Sequence, residues 1–534
     1  MRYPSNSVVC RGLAIAVAIL SLASTARANV YATNLKLNGS TNDASIQPGQ
    51  GLSISYILNE AASGGVTIRI LSGTTAVKTI SIASGNPGTL RGTNTVSWNG
   101  ATDGGTNPAG GVYAFSITPA AAGQLTWWQT TSDTNAGNQA WLPWGLAVNQ
   151  NTNSFYYGRV FVANSFQGPN PDTNTADRLG FQKLNADASP AEEGIFSSGG
   201  YPWSGNSSPF RVRVGADDRF YAQDGSIVGG VVMSWDQAIT TNSILYVSRD
   251  DNDPLGANFP GYYVSGTGTN RQMWMADGDS GGVGVNVWNV QTNGVLATND
   301  LGTSAVPVSP ANGLEDSAYD VAVDAAGRIY VVCEPPSSSQ YKVMRFPAYT
   351  GSPLTNADWR VDNTSTMFAD FAIAVNPAAS YVAVARAIPG DVLILDAATG
   401  LTVTNISANG NAHHAVAWDN VGNLYTTYDA PGDSESAWQA WSPPGTNAAT
   451  TVGLEKIQVV SPPKITSIVP SGTNFVITFT GSASDAPSAY SVMSGAAVTG
   501  ITNVVASATI IGSGGVFQAT VPANGAIQFY RVRR

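Results

Sequence analysis

The stretch Val321-Ala-Val-Asp-Ala-Ala-Gly-Arg-Ile-Tyr330 decides the fold of this chain. It joins an apolar triplet to a second apolar-aromatic strand through Asp324 and Gly327, residue types that favour a tight turn. Related triplets begin at residues 146, 212, 373 and 416, and a second strand follows each of them. Repeats of about 40 to 50 residues, each with three or four short strands, are typical of β-propeller blades.

The spacing of these triplets predicts the number of blades. The longest step, from residue 212 to 321, has room for one irregular blade built from Gly261-Tyr-Tyr-Val264, Met273-Trp-Met275 and residues 283–290. We therefore predict a propeller of six blades over residues 124–460. The pattern Ala-Val-Asp324-x-x-Gly327-x-Ile-Tyr330 resembles the blades of NHL-type and gluconolactonase-like propellers. This resemblance implies the fold and is compatible with several functions.

Two further segments alternate apolar and polar residues with the period of a strand. Residues 29–123 include Leu52-Ser-Ile-Ser-Tyr-Ile-Leu58, and residues 461–534 include Phe475-Val-Ile-Thr-Phe479. Alternation of this kind buries one face of each strand, which predicts a β-sandwich in each segment. The fold class is thus all-β: a β-propeller flanked by an N-terminal and a C-terminal β-sandwich domain.

The end of the N-terminal segment carries Val96-Ser-Trp-Asn-Gly100 and then Gly110-Gly-Val-Tyr113. It resembles the Ig-like domain of flagellar hook-capping proteins, which implies a spacing or docking module with Trp98 and Tyr113 in its core. Residues 461–534 resemble the small Ig-like or fibronectin-like sandwich that ends many secreted bacterial proteins.

Residues 1–28 have the three parts of a cleavable signal peptide. Arg2 and Arg11 precede an apolar run over 13–23, and Ala26-Arg27-Ala28 is a small-residue cleavage site before Asn29. We predict a secreted protein, located outside the cell, in the periplasm or on the outer surface. The apolar run is too short to span a bilayer, and no later stretch approaches that length, so no transmembrane segment is predicted after cleavage.

Charge and cysteine content narrow the function further. The leader holds three of the 25 basic residues and none of the 35 acidic ones, which leaves a mature net charge of −13. Such a surface repels phosphate backbones, so no nucleic-acid partner is predicted. Cys333 is the one cysteine after the leader, and its apolar strand predicts a buried thiol that acts as a small hydrophobe.

No catalytic residue is predicted. Gly278-Asp-Ser-Gly-Gly282 resembles the nucleophile segment of chymotrypsin-like proteases, but that family places its histidine before the serine, whereas the two histidines of this chain follow it. We interpret the segment as a turn. Calcium is the candidate cofactor, because two loops offer oxygen ligands at short spacing: Asp250, Asp251 and Asp253, and Asp172, Asn174 and Asp177. Asx turns are the competing explanation for both loops.

A set of aromatic residues repeats two positions before each triplet, where the inner strand of a blade begins. Its members are Trp144, Phe210, Tyr319, Phe371 and His414, with Arg211, Asp320, Asp370 and His413 beside them. At the mouth of the central channel, such rings and charges would suit a glycan or another small polar ligand. The alternative is that the rings wedge neighbouring blades together.

Three functions therefore remain open. The leading hypothesis is a secreted, non-enzymatic binding or cell-surface protein whose propeller recognises a glycan, a small polar ligand or a protein partner. The alternative is a metal-dependent hydrolase or lactonase, because the gluconolactonase resemblance implies a divalent metal held by a glutamate, asparagines and an aspartate. Asp320 or Asp370 would be the aspartate, although Glu315 and Glu334 do not match the motif. A purely architectural surface component is the third.

Overall fold

The computed structural model describes residues 29–534 apart from the following: 42, 134, 166–178, 204–207, 226–230, 248–260, 278–283, 297–301, 310–313, 315–316, 335–341, 363–371, 408–409, 430–435, 449–450, 454–456, 461, 483–484 and 524–527. The predicted leader, residues 1–28, lies outside the described residues. The described residues form strands and short 3₁₀ turns, and no α-helix occurs among them. The turns are Ala136–Asn138, Thr241–Ser243, Gly268–Asn270, Pro487–Ala489 and Val498–Gly500. No helix in this part of the chain is long and apolar enough to cross a membrane. The prediction of an all-β chain is confirmed.

The middle of the chain forms six four-stranded antiparallel sheets within the described residues, here called sheets 1 to 6. From the inner strand outward, sheet 1 consists of Leu146–Val148, Val160–Asn164, Gly180–Leu184 and Phe196–Ser197. Sheet 2 consists of Val212–Val214, Phe220–Asp224, Val231–Trp235 and Leu245–Tyr246. Sheet 3 consists of Gly261–Ser265, Gln272–Ala276, Val285–Asn289 and Thr303–Val306. Sheet 4 consists of Ser317–Val323, Arg328–Glu334, Lys342–Ala348 and Trp359–Asp362. Sheet 5 consists of Ala372–Val375, Tyr381–Arg386, Asp391–Asp396 and Thr402–Ile406. Sheet 6 consists of Ala412–Trp418, Leu424–Asp429, Ala437–Ser442 and Trp128–Gln129.

The six sheets close into a ring. Each inner strand contacts the inner strand of the next sheet, and the inner strand of sheet 6 returns to that of sheet 1. The outer strand of sheet 6 comes from the chain before sheet 1, with Gln129 opposite Trp441 and Trp128 opposite Ser442. A ring of radial sheets, locked by a strand from the other end of the repeat, is a closed β-propeller. The predicted propeller is confirmed.

The turn that joins the first two strands of a sheet is organised by a buried carboxylate. Asp324 accepts hydrogen bonds from the backbone N–H of Arg328 at 3.0 Å and from the Tyr330 hydroxyl at 3.1 Å. Gly327 adopts φ +78°, in the left-handed region that favours glycine. Asp419 makes equivalent contacts in sheet 6. The repeated aspartate, glycine and tyrosine therefore build the turn between strands.

Apolar side chains fill the space between neighbouring sheets. In sheet 4, Tyr330 and Val332 face sheet 5, where they join Ile373 and Val384 in one buried cluster. The alternate positions of the same strand face sheet 3, and Cys333 lies among them, 1% exposed. Burying a side chain of this size contributes roughly 1.5–3 kcal/mol. Contacts between neighbouring sheets therefore stabilise the ring.

The N-terminal segment forms two sheets around one apolar core. One sheet consists of Ala32–Leu37, Leu52–Leu58 and Gly92–Trp98, and the other contains Ala44–Ile46, Ile457–Val459, Gly111–Gln124, Gly65–Ser72 and Thr75–Ile82 in that spatial order. Trp98 and Tyr113 are both buried in the core between the sheets, 1% and 5% exposed. The Trp98 indole donates a hydrogen bond to the carbonyl of Ala101 at 2.8 Å, which satisfies its polar edge.

The chain between 445 and 459 lies in a different place from the one we predicted. We predicted that it would end the propeller, but Gly445–Ala448, Thr451–Val452 and Ile457–Val459 all pair with Gly111–Gln124 of the N-terminal unit. That long strand has Gly65–Ser72 on one side and would otherwise leave its other edge unpaired. The returning chain covers this edge, so both ends of the propeller are tied to the N-terminal unit.

The C-terminal segment also forms two sheets. One consists of Lys464–Ser471, Asn474–Thr480, Val516–Pro522 and Thr509–Ser513, and the other of Asn503–Val504, Ser491–Gly495 and Phe529–Arg533. Their shared core includes Phe479, Tyr490 and Phe517, which pack within 5.5 Å between ring centroids. The segment thus has an apolar core of its own.

Candidate functional site

Three of the predicted mouth residues form one aromatic cluster where the inner strands of sheets 6, 1 and 2 begin. The rings of Trp144 and His414 are parallel within 2°, with centroids 5.1 Å apart, and Phe210 packs on Trp144 at 5.2 Å. Phe210 and His414 are buried, whereas Trp144 is half-buried. The cluster joins three neighbouring sheets, which is the wedge arrangement that we weighed against a ligand site.

Arg211 holds this cluster together. It is fully buried, its guanidinium lies 4.7 Å from the centroid of the Phe210 ring, and its Nη1 donates hydrogen bonds to the carbonyls of Trp144 and His414. A buried guanidinium needs such acceptors to offset its loss of water. In this geometry Arg211 links sheets 6, 1 and 2.

Asp320 has a similar place on the other side of the ring. It is fully buried, and both of its carboxylate oxygens accept hydrogen bonds from Nη2 of Arg213, at 2.8 and 2.7 Å. It also accepts the backbone N–H of Ile373 at 3.0 Å, while Arg213 Nε donates to the carbonyl of Tyr262 at 3.0 Å. The pair therefore connects the inner strands of sheets 2 to 5. Tyr319, next to Asp320, is half-buried against the core of sheets 4 and 5.

The two histidines are buried and uncharged. Burial lowers the pKa of His413 to about 4, and its ring nitrogens lie 3.1 Å from Thr426 Oγ1 and 3.2 Å from the carbonyl of Ser407. Burial, with the nearby charge of Arg211 as a smaller cause, lowers the pKa of His414 to about 3. In the described part of the chain, no group of three or more His, Cys, Asp or Glu side chains converges as a metal site would.

Several predicted residues lie outside the described residues. They are Asp370 and Phe371 of the mouth, the two calcium candidates (Asp172, Asn174 and Asp177; Asp250, Asp251 and Asp253), and the segment 278–282. Their roles stay predictions, as does ligand binding by the mouth residues described above.

A cavity of about 880 Å³ occupies the channel at the end where the inner strands finish. Residues from all six sheets line it, mostly the last residues of each inner strand and the turn that follows. The predicted mouth residues stand where these strands begin, so the cavity lies toward the opposite end of the channel. Its size is within the range of about 300–1,000 Å³ that small-molecule sites occupy.

The wall of this cavity combines aromatic rings with side-chain amides. The rings are Tyr263, Trp274, Tyr349 and Trp418, and the amides are Gln150, Asn151, Gln272, Asn376 and Asn420. The two charged side chains on the wall, Arg213 and Asp324, are both paired within the protein. Trp274 and Trp418 are only 4% and 2% exposed, so the half-buried rings of Tyr263 and Tyr349 are the ones that offer surface for stacking. Together with the neutral donors and acceptors, they suit an uncharged polar molecule.

These wall residues were not predicted, because the candidate residues were taken from the positions before each apolar triplet and not from those after it. Polar residues stand just after the triplets as well, with Gln150 and Asn151 in sheet 1, Asn376 in sheet 5 and Asn420 in sheet 6. Some of these amides organise turns, as Asn376 does by accepting the N–H groups of Ser380 and Tyr381. The repeat therefore contained the signal, but residues that organise turns and residues that line the cavity share the same positions.

Comparisons with known proteins do not identify a family. No family model matches the chain, and no curated protein matches it significantly. Among solved structures, it is similar to the β-propeller domain of Cps50 (Swd1) from Myceliophteria thermophila, with 9% identity, a TM-score of 0.32 and coverage of 56% of this chain and 82% of that one. It is also similar to Hsv2 from Kluyveromyces lactis, with 11% identity, a TM-score of 0.28 and coverage of 54% and 70%.

Proposed function

We propose that this chain is an exported, non-enzymatic binding protein whose propeller holds a glycan or similar uncharged polar ligand in the channel cavity. The observation that carries the proposal is the composition of the cavity wall. Four aromatic side chains and five amides surround about 880 Å³, and the charged groups there are already paired. Sugars bind by ring stacking combined with neutral hydrogen bonds, which is the chemistry this wall offers.

The remaining parts of the proposal concern architecture and location. The six sheets act as six blades, and the N-terminal and C-terminal units act as sandwich domains that space the propeller or attach it to a cell surface. The chain that follows the propeller pairs with Gly111–Gln124, the strand that precedes it, which suits an adaptor that also stabilises the ring. Export is supported by the signal-peptide pattern of residues 1–28.

Glycan-array binding by the purified mature protein tests the proposal, followed by calorimetry with the best sugar. Tyr349 is half-buried at the wall and Gln150 is exposed there, so Tyr349→Ala and Gln150→Ala remove one stacking face and one amide. Each should weaken binding roughly tenfold, because a lost ring or hydrogen bond costs about 1–2 kcal/mol. Phe529→Ala, an aromatic truncation in the C-terminal unit, is the matched control and should have no effect.

Trp144→Ala distinguishes the two ends of the channel. We expect it to leave sugar binding unchanged, because Trp144 lies at the end where the inner strands begin. Loss of binding in Trp144→Ala with full binding in the Tyr349 and Gln150 variants would place the ligand at the predicted mouth instead. Absence of any sugar or polyol ligand for the intact protein would refute the proposed function.

A further inference from the structure

Asn29, the residue after the predicted cleavage site, is buried between the N-terminal unit and sheet 6. It is 3% exposed. Its carbonyl accepts hydrogen bonds from Asn423 Nδ2 at 2.8 Å and from Asn59 Nδ2 at 3.0 Å, while its backbone nitrogen lies 3.3 Å from Ser442 Oγ. A chain terminus is usually exposed and mobile. Here the backbone of Asn29 is held from both sides.

The same interface contains two carboxyl groups whose negative charges are not balanced by nearby cations. Asp419 is fully buried and is bridged to Asn29 by the Asn423 amide, which donates to Asp419 Oδ2 at 2.7 Å and to the Asn29 carbonyl. Glu60 follows Asn59, and its Oε1 is shielded from solvent and has no hydrogen-bond partner. Burial raises the pKa of Asp419 to about 6 and, with the charge of Asp419 as a smaller cause, that of Glu60 to about 7.

The other titratable groups that face these carboxyls do not compensate them. Arg91 is the cation that acts on Glu60, and its guanidinium is already bonded to the carbonyls of Thr130 and Asp187. Tyr31, Tyr157 and Tyr425 face Asp419, and burial raises the pKa of each, so they stay neutral. The interface also contains a second unpaired acceptor, Oδ1 of Asn423, whose side chain is 97% buried.

We propose that this interface is a binding site for a primary ammonium group, and that its ligand is the α-amino group of Asn29 released when the leader is removed. Cleavage after Ala28 would turn the amide nitrogen of Asn29 into an ammonium with three donors. One donor would keep the contact with Ser442 Oγ, which leaves two donors for the unpaired oxygens of Asn423 and Glu60 at the same interface. The inference rests on the predicted leader and is independent of the proposed ligand in the channel.

The consequence is that processing completes the docking of the N-terminal unit. Before cleavage, the interface holds carboxyls whose charge is compensated only in part, by Arg91, which is unfavourable for the charged form. After cleavage, a buried ion pair with satisfied hydrogen bonds takes its place. The mature chain should therefore hold its N-terminal unit against sheet 6 more tightly than a chain with any residue before Asn29.

Thermal unfolding of two full-length mature proteins tests this inference. One begins at Asn29, and the other carries Gly-Ser before Asn29. At pH 7.5 we expect the extended protein to melt at least about 3 °C lower. At pH 5 the difference should shrink, because Glu60 of the extended protein is then protonated and no longer needs a cation.

Glu60→Gln in both proteins is the control for steric displacement by the extra residues. The amide keeps the size of the side chain and removes its charge, so the difference in melting temperature should fall by at least half. An undiminished difference in the Glu60→Gln pair would mean that the extension acts by crowding, and the ammonium site would be refuted. Equal melting temperatures of the two original proteins at every pH would refute it as well.

Chemical labelling gives a second readout that does not depend on stability. A brief pulse of acetic anhydride should modify the α-amine of the protein that begins at Asn29 at least tenfold more slowly than that of the Gly-Ser protein, because the site excludes solvent. Equal labelling rates would overturn the proposal. Amino-terminal sequencing of the exported protein should read from Asn29, and any other start would also overturn it.

Discussion

Replacing Asp320 with alanine is the most direct test of how the ring of inner strands is held together. The carboxylate is fully buried and accepts three hydrogen bonds, two from Arg213 and one from the backbone of Ile373. Asp320→Ala leaves the guanidinium of Arg213 and the N–H of Ile373 without these partners. We expect the propeller to lose stability while its secondary structure is retained.

The expected loss follows from the burial of the two charges. Removing one partner of a buried pair costs about 3–5 kcal/mol, because the remaining charge is left uncompensated. Arg213 keeps 12% of its side chain exposed on the cavity wall, so water can solvate it in part and the lower value applies. The orphaned N–H of Ile373 adds about 1 kcal/mol. The total is about 4 kcal/mol.

Urea unfolding followed by tryptophan fluorescence measures this loss. Asp362→Ala is the matched control, because its partner Arg360 lies 3.1 Å away and both side chains are more than 40% exposed. Exposed pairs contribute about 0–1 kcal/mol. The double variant Asp320→Ala with Arg213→Met should recover at least half of the loss, since no buried charge then remains. A loss below about 1 kcal/mol for Asp320→Ala would refute the structural role of the pair.

Three further outcomes are expected. Burial lowers the pKa of His413 to about 4, so the free energy of unfolding should decrease as the pH falls from 6.5 toward 4. The urea midpoint should therefore drop over this range, and it should drop less in His413→Gln. Parallel pH profiles of the two proteins would contradict this. Thr130 donates its backbone N–H to the carbonyl of Ala440 at 2.8 Å and its hydroxyl to the same carbonyl at 3.2 Å, so Thr130→Pro should lower the melting temperature more than Thr130→Val, which removes only the hydroxyl bond. If Asp251 and its neighbours hold calcium, atomic emission will find the ion in dialysed protein, and a chelator will lower the melting temperature; calcium-free, chelator-insensitive protein would refute the site.

The repeat made the propeller predictable. Each predicted triplet lies in an inner strand, and the irregular stretch around Tyr262 and Trp274 forms sheet 3. Alternation with period two reports which side chains are buried, and tight turns need Asp and Gly at fixed offsets. Both signals are local, so a single sequence contains them. The same locality explains why Cys333 and Trp98 were placed correctly in their cores.

Contacts between distant parts of the chain were not predictable in this way. Nothing in the alternation of residues 445–459 indicates that they pair with Gly111–Gln124, because the pattern of a strand does not specify which other strand it pairs with. Likewise, nothing in the sequence around Asp320 indicates that it pairs with Arg213, 107 residues away. The pairing of buried charges depends on which strands the ring brings together.

The sequence by itself thus determined an all-β chain, the propeller repeat and the turns within each sheet, since these follow from neighbours a few residues apart. Only the tertiary structure decided which end of the channel holds the cavity, which charges are paired inside the ring, and how the chain around Asn29 is buried against sheet 6. Those features arise from ring closure, which brings together residues that are hundreds of positions apart and whose polar groups must find partners once water is excluded.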